Sequence, residues 1–122
     1  FMKPYPRVWE CKSMNDNKFT QFRTRGVKYS HIHYFVQVQV YMKMMGLTKN
    51  AAVLTGVQKE SAVMHHEFIK FDDETANRYV KRAFDIIDKT KKKQLMPRIS
   101  SDRNNFECKY CSWQTRCWST ND

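Results

Sequence analysis

The sequence predicts a domain that mixes helix and strand, on three observations. Short runs rich in β-favouring residues, at 8–12, 51–55 and 62–71, read as strands. Stretches with helix caps and helical apolar spacing lie at 15–26, at 30–46 and from 72 to the stop at Pro97. With 41% apolar and 14% aromatic residues and only three glycines and three prolines, the chain can build a packed core. Its 122 residues fit one domain or part of one.

Residues 1–7 read as an irregular lead-in holding Pro4 and Pro6. The first strand is Val8-Trp9-Glu10-Cys11-Lys12. Side chains alternate along a strand, so Glu10 and Lys12 share one face and Cys11 takes the other. A carboxylate beside an ammonium suits metal-assisted phosphodiester hydrolysis. Glu10 can hold a hard divalent cation through oxygen, and Lys12 can orient water or offset charge building on phosphate. The plain alternative is a solvated strand face. Asn15-Asp16 then caps a helix carrying Phe19 and Phe22, ended near Gly26. Lys18, Arg23, Arg25 and Lys28 surround those rings, a mix that suits single-stranded nucleic acid. Phe19 and Phe22 are three apart on one face and read as core before they read as stacking platforms.

Residues 36–41 alternate like a strand, but Ser30 suits a cap, Gly46 a stop, and 42–45 favour helix. The reading is a helix burying Tyr34, Val38, Tyr41 and Met45, with Gln37 and Tyr41 four apart and adjacent. Residues 51–55 read as a buried strand, 56–61 as a turn region holding Lys59, and 62–71 as the second strand of a hairpin. His65 and His66 fall on opposite faces and are assigned no chemistry. Asp72-Asp73-Glu74 opens a helix whose acids suit its positive end, as Lys89 to Lys93 suit its negative end. Its expected buried stripe is Ala76, Tyr79, Val80, Ala83, Phe84 and Ile87.

The formal charge of +10, from 22 Lys and Arg against 12 Asp and Glu, points to a polyanionic partner. No apolar run approaches the roughly 18 residues of a spanning helix, and no stretch pairs a basic face with a broad apolar one, so a membrane is not the expected partner. No signal peptide is read in the sequence, and the chain opens on Phe1 and not on Met, so it is expected to be either processed or a fragment with a further upstream part. Cys108, Cys111 and Cys117 are bunched, which suits a metal in a reducing compartment better than a disulfide framework. Three thiolates need a fourth ligand, and Cys11 is poorly placed to be it.

In order, the chain offers a Glu-x-Lys strand, a Gln-x-x-x-Tyr helix, a hairpin with a lysine, a helix and Cys-x2-Cys-x5-Cys. This resembles the RecB-like branch of the PD-(D/E)XK nuclease superfamily, from Val8 to Trp118. It is most similar to the CRISPR-associated and phage exonucleases that carry an iron–sulfur cluster. The resemblance implies a restriction-endonuclease-like mixed sheet flanked by helices. Residues 1–97 would be the C-terminal part of the nuclease core, and 98–122 the metal-binding tail of the same domain. Glu10 would bind Mg2+ or Mn2+, Lys12 would be the catalytic lysine, and Gln37 and Tyr41 would hold the DNA end. Lys18, Arg23, Arg25 and Lys59 would contact DNA. Cys108, Cys111 and Cys117 would hold a 4Fe–4S cluster, or alternatively Zn2+.

The departures lie upstream. The family places a metal-binding Asp, often a His, and the first cluster Cys ahead of Glu-x-Lys, and residues 1–9 contain none of these. Asp16 follows the lysine and does not match. A longer N-terminal part or a second chain is therefore expected to supply the Asp and the fourth Cys. The 122 residues alone are expected to bind metal poorly and not to cut DNA. The resulting expectation is a metal-dependent DNA exonuclease acting on single-stranded DNA or a free end. It would serve recombination, repair or CRISPR adaptation in the cytoplasm of a bacterium or phage-infected cell. The alternatives are a catalytically incomplete DNA-binding subunit, and a zinc-ribbon-like tail on an unrelated α/β domain.

Overall fold

The computed structural model describes residues 6–119. The elements run β1 (Trp9–Met14), α1 (Asp16–Arg25), α2 (Val27–Ser30), α3 (Ile32–Met44), β2 (Ala52–Gln58), β3 (Met64–Ile69), α4 (Asp73–Lys91), α5 (Phe106–Lys109) and α6 (Gln114–Ser119). The three strands form one mixed sheet in the order β1-β2-β3. β1 and β2 are parallel, with α1 to α3 as the crossover between them, and β2 and β3 form an antiparallel hairpin. The class is therefore mixed α/β, a three-stranded mixed sheet flanked by helices. The chain divides into two compact units, Phe1–Phe84 and Asp85–Asp122. The division falls within α4, ahead of the expected boundary at 97/98.

In the first unit the register sets what each face carries. Glu10 pairs with Leu54 and Leu54 with Glu67; Lys12 pairs with Gly56 and Gly56 with His65. Paired residues present side chains on the same face. That face also carries Met14, Ala52 and Ile69 and is roofed by Phe19 and Phe22 of α1 and Phe35, Val38 and Met42 of α3, all buried. Phe22 sits directly on Gly56: a Cβ there would lie 2.8 Å from Phe22 Cδ1. Glycine is the residue that lets the ring seat against the strand.

The helices end where their local chemistry ends them. Asn15 Oδ1 accepts the Lys18 amide at 3.0 Å and starts α1. At the far end of α3, Gly46 takes φ of 67°. The Leu47 amide donates to Met42 O at 2.9 Å and the Gly46 amide to Lys43 O at 3.1 Å. These are the two hydrogen bonds of a Schellman ending, which a left-handed glycine allows. Asp72 caps α4, its carboxylate accepting from the Thr75 amide at 3.0 Å and the Thr75 hydroxyl at 2.9 Å.

Four expectations need correction. Gly56 to Gln58 belong to β2, because the ladder to Met14 and Met64 continues past Thr55; the turn is confined to the residues just after. Ser30 ends α2 and does not cap α3, whose first flanking residue is His31. α3 buries Phe35, Val38, Gln39 and Met42, and not the Tyr34/Val38/Tyr41/Met45 face: Tyr41 is 39% and Met45 62% exposed. The cause is Gln39, whose amide is fully buried yet satisfied. Its Nε2 donates to Lys70 O at 3.0 Å and its Oε1 accepts the Asp72 amide at 2.8 Å. Finally, the apolar stripe of α4 is not a buried one. Only Ala76 is buried; Tyr79 and Val80 are half-buried, and Ala83, Phe84 and Ile87 are exposed. None of them joins the core cluster.

In the second unit α5 and α6 are short. Asn105 caps α5, accepting the Glu107 amide at 3.0 Å. The Arg98 guanidinium donates to Cys117 O at 3.2 and 3.1 Å and lies 4.8 Å from the Trp118 ring centroid.

Candidate active site

Alternation along β1 turns Glu10 and Lys12 to the helix-covered face, and there they meet. Lys12 Nζ stands 2.9 Å from Glu10 Oε1, both side chains about four-fifths shielded at 21% and 19% exposure. Shielding from solvent strengthens what such a pair does to a nearby phosphate. Cys11, one residue between, faces the other way and is exposed.

Lys12 Nζ also lies 5.0 Å from the centroid of the Tyr34 ring, a cation–π distance. Tyr34 is on α3, one turn before Gln37 and two before Tyr41, so the three share a side of the helix. Gln37 Nε2 donates to the Tyr41 hydroxyl at 2.7 Å. The expected neighbours on the Gln-x-x-x-Tyr helix are thus in contact, and Tyr34 links their side to the β1 pair. The Tyr34 ring stacks in turn on His31, centroids 5.4 Å apart and planes within 4°. Burial holds the His31 imidazole below its usual 6.5, and the charges of Lys18 and His33 add to the effect.

Two residues on this face carry chemistry that was not assigned from the sequence. Tyr34 was read as core. Glu67 lies in the same sheet row as Glu10, across Leu54. Its Oε2 accepts the Val27 amide at 2.8 Å, so it caps the start of α2 from a neighbouring strand. Alternation in β3 could have put Glu67 and His65 on one face. Only the pairing register could put that face beside Glu10.

The remaining expected residues are dispersed. Lys18, Arg23 and Arg25 are exposed along α1, and Lys59 is exposed just past the last paired row of β1 and β2. Phe19 and Phe22 are core, and Phe22 meets His65 edge-on at 5.1 Å. Among the described residues no group of three His, Cys, Asp or Glu side chains is gathered to hold a metal. Glu10 offers one oxygen donor group, already paired with Lys12. Cys108 is buried while Cys111 and Cys117 are exposed, and the three do not converge. The cysteine set as arranged here therefore does not fit a cluster or a zinc ion. Among the described residues, no helix is long and apolar enough to cross a membrane.

In comparisons with protein-family models, with curated proteins and with solved structures, nothing matched this chain.

Proposed function

We propose that the chain carries part of the active site of a metal-dependent DNA exonuclease of the RecB-like kind. The observation that supports this reading is the shielded Glu10–Lys12 pair facing an α3 side that presents Tyr34, Gln37 and Tyr41. Glu10 supplies one carboxylate towards Mg2+ or Mn2+, whose chemistry when bound is to generate a water nucleophile at neutral pH. Lys12, held between Glu10 and the Tyr34 ring, would offset charge gathering on the phosphate. Gln37 and Tyr41, joined by their own hydrogen bond, present an amide and a phenol to hold the DNA end. A second carboxylate is needed, and a strand laid along the outer edge of β1 would deliver one, from the same gene product or from another chain. Support for a metal at Cys108, Cys111 and Cys117 is their spacing alone.

The test is nuclease activity of the full gene product with Mg2+ or Mn2+, comparing wild type, Lys12→Ala and Glu10→Gln. Loss of about 100-fold or more in both variants is expected, the scale of removing a charge-stabilising group. Equal activity in Lys12→Ala and wild type would remove the proposal. The dispersed metal donors favour a second reading, a nuclease-fold DNA-binding subunit without chemistry. It predicts salt-sensitive DNA binding and no nucleotide release from the wild type. A brown protein with visible absorbance would support the iron–sulfur assignment, and a colourless zinc-loaded one the zinc alternative.

A further inference from the structure

The face of the sheet opposite Glu10 and Lys12 has no role in that chemistry, yet it is built with equal order. Trp9 pairs with Val53 and Val53 with Phe68, so the two rings lie in one row across β1, β2 and β3. Two strand spacings separate their backbones, about 10 Å. Both rings are open to solvent, Trp9 at 69% and Phe68 at 63% exposure. Trp9 is nevertheless pinned: its Nε1–H donates to Thr55 Oγ1 at 2.8 Å. The indole's one polar group is thereby satisfied at the sheet, and what remains for solvent is ring surface. The same Thr55 hydroxyl, 1% exposed, meets His66 Nδ1 at 2.9 Å in the adjoining row. The Arg7 guanidinium stands 5.9 Å from the Phe68 centroid. No side chain that the three strands present on this face is acidic, whereas the opposite face carries Glu10 and Glu67.

We propose that this open face is a stacking platform for single-stranded DNA, with bases on Trp9 and Phe68 and backbone phosphate beside Arg7. Exposed rings, that of Trp9 tethered through its N–H, offer bases a π surface, and Arg7 on an acid-free face admits phosphate. An apolar protein partner would gain little from Arg7, and the +10 charge of the chain opposes a second copy. The platform does not rest on the nuclease reading, because Lys12 lies on the other face.

The experiment is fluorescence anisotropy of a labelled oligo(dT) with the full chain, in low salt and without divalent metal. Trp9→Ala and Phe68→Ala are each expected to weaken binding about 5- to 100-fold, the worth of one stacked base. Trp9→Phe should restore most of the affinity. A duplex of equal length should bind with no dependence on either ring. Unchanged oligo(dT) affinity in both ring variants overturns the proposal, as does a ring-dependent preference for duplex. Conversion of a dimer to a monomer by Trp9→Ala, seen by sedimentation at unchanged DNA affinity, assigns the face to a second copy and also overturns it. Cys11, exposed on this same face, gives a readout in the wild type. Bound oligo(dT) should slow its alkylation, mapped by mass spectrometry, and equal rates with and without DNA count against the platform.

Discussion

The two faces of the sheet differ by one residue of register and by almost everything else. One carries Glu10, Lys12, His65 and Glu67 under a roof of phenylalanines and valines. The other carries Trp9, Cys11, His66 and Phe68 in the open, with charge contributed by Arg7 from beyond the strand. The covered face is still the core, with Met14, Ala52, Leu54 and Ile69 buried under the helices, but it also admits a charged pair, while the open face leaves two large rings to solvent. The difference teaches that one sheet face can hold the apolar core and, on the same strands, a partly shielded Glu10–Lys12 pair.

The largest effect should come from truncating a phenylalanine on each side. Phe22→Ala removes a fully buried ring from the covered face and should cost about 3–5 kcal/mol. Phe68→Ala should stay within about 0.5 kcal/mol. Urea unfolding of both variants measures the contrast, and equal losses would erase the distinction between the faces. Next comes Gly56→Ala. Its Cβ would press on the Phe22 ring at 2.8 Å, so overpacking should cost about 1–3 kcal/mol by the same measurement. On the open side, Thr55→Val deprives the Trp9 indole and His66 of their shared partner. A loss of about 1 kcal/mol is expected, with a red-shifted Trp9 emission as the ring is released.

The smallest effect is in pH. The native pKa of His31, which stacks on Tyr34 over Lys12, lies below its unfolded value of 6.5. The unfolded chain therefore takes up the proton first, and this stabilisation is present above pH 6.5 and lost as pH falls through the lower native value. Asp72 behaves alike further into acid. Hydrogen bonds from the Thr75 amide and hydroxyl, with Lys28 nearby, hold its carboxyl below 3.8, so its share is present above 3.8 and lost below. Thermal melts from pH 8 to 3 should show two successive losses, and His31→Gln should flatten the first alone.

Local rules carried much of this to the reader of the sequence. Strand alternation put Glu10 and Lys12 together, and helical spacing put Gln37 against Tyr41, because both pairs lie within one element. The α1 cap at Asn15 and the stop at Gly46 are likewise local. What was not legible depends on partners far along the chain. The meeting of Gly56 with Phe22 and of Glu67 with the Val27 amide is set by register, which no single element encodes. The expected buried side of α3 differs from the observed one because tyrosines at 34 and 41 read as core, whereas the buried polar residue, Gln39, gives no apolar signal. Periodicity in α4 identified an apolar side but could not say what, if anything, covers it. Cysteine spacing said nothing about whether the thiols converge.

Gln39 has a last consequence, for how α3 tolerates substitution. Its amide locks the azimuth of that helix, since a turn of one residue would strand both Lys70 O and the Asp72 amide. In a library randomised from 36 to 40, survivors should therefore hold an amide at 39 while varying freely at 36 and 40. The orientation of Gln37 and Tyr41 is inherited from a neighbour that touches neither.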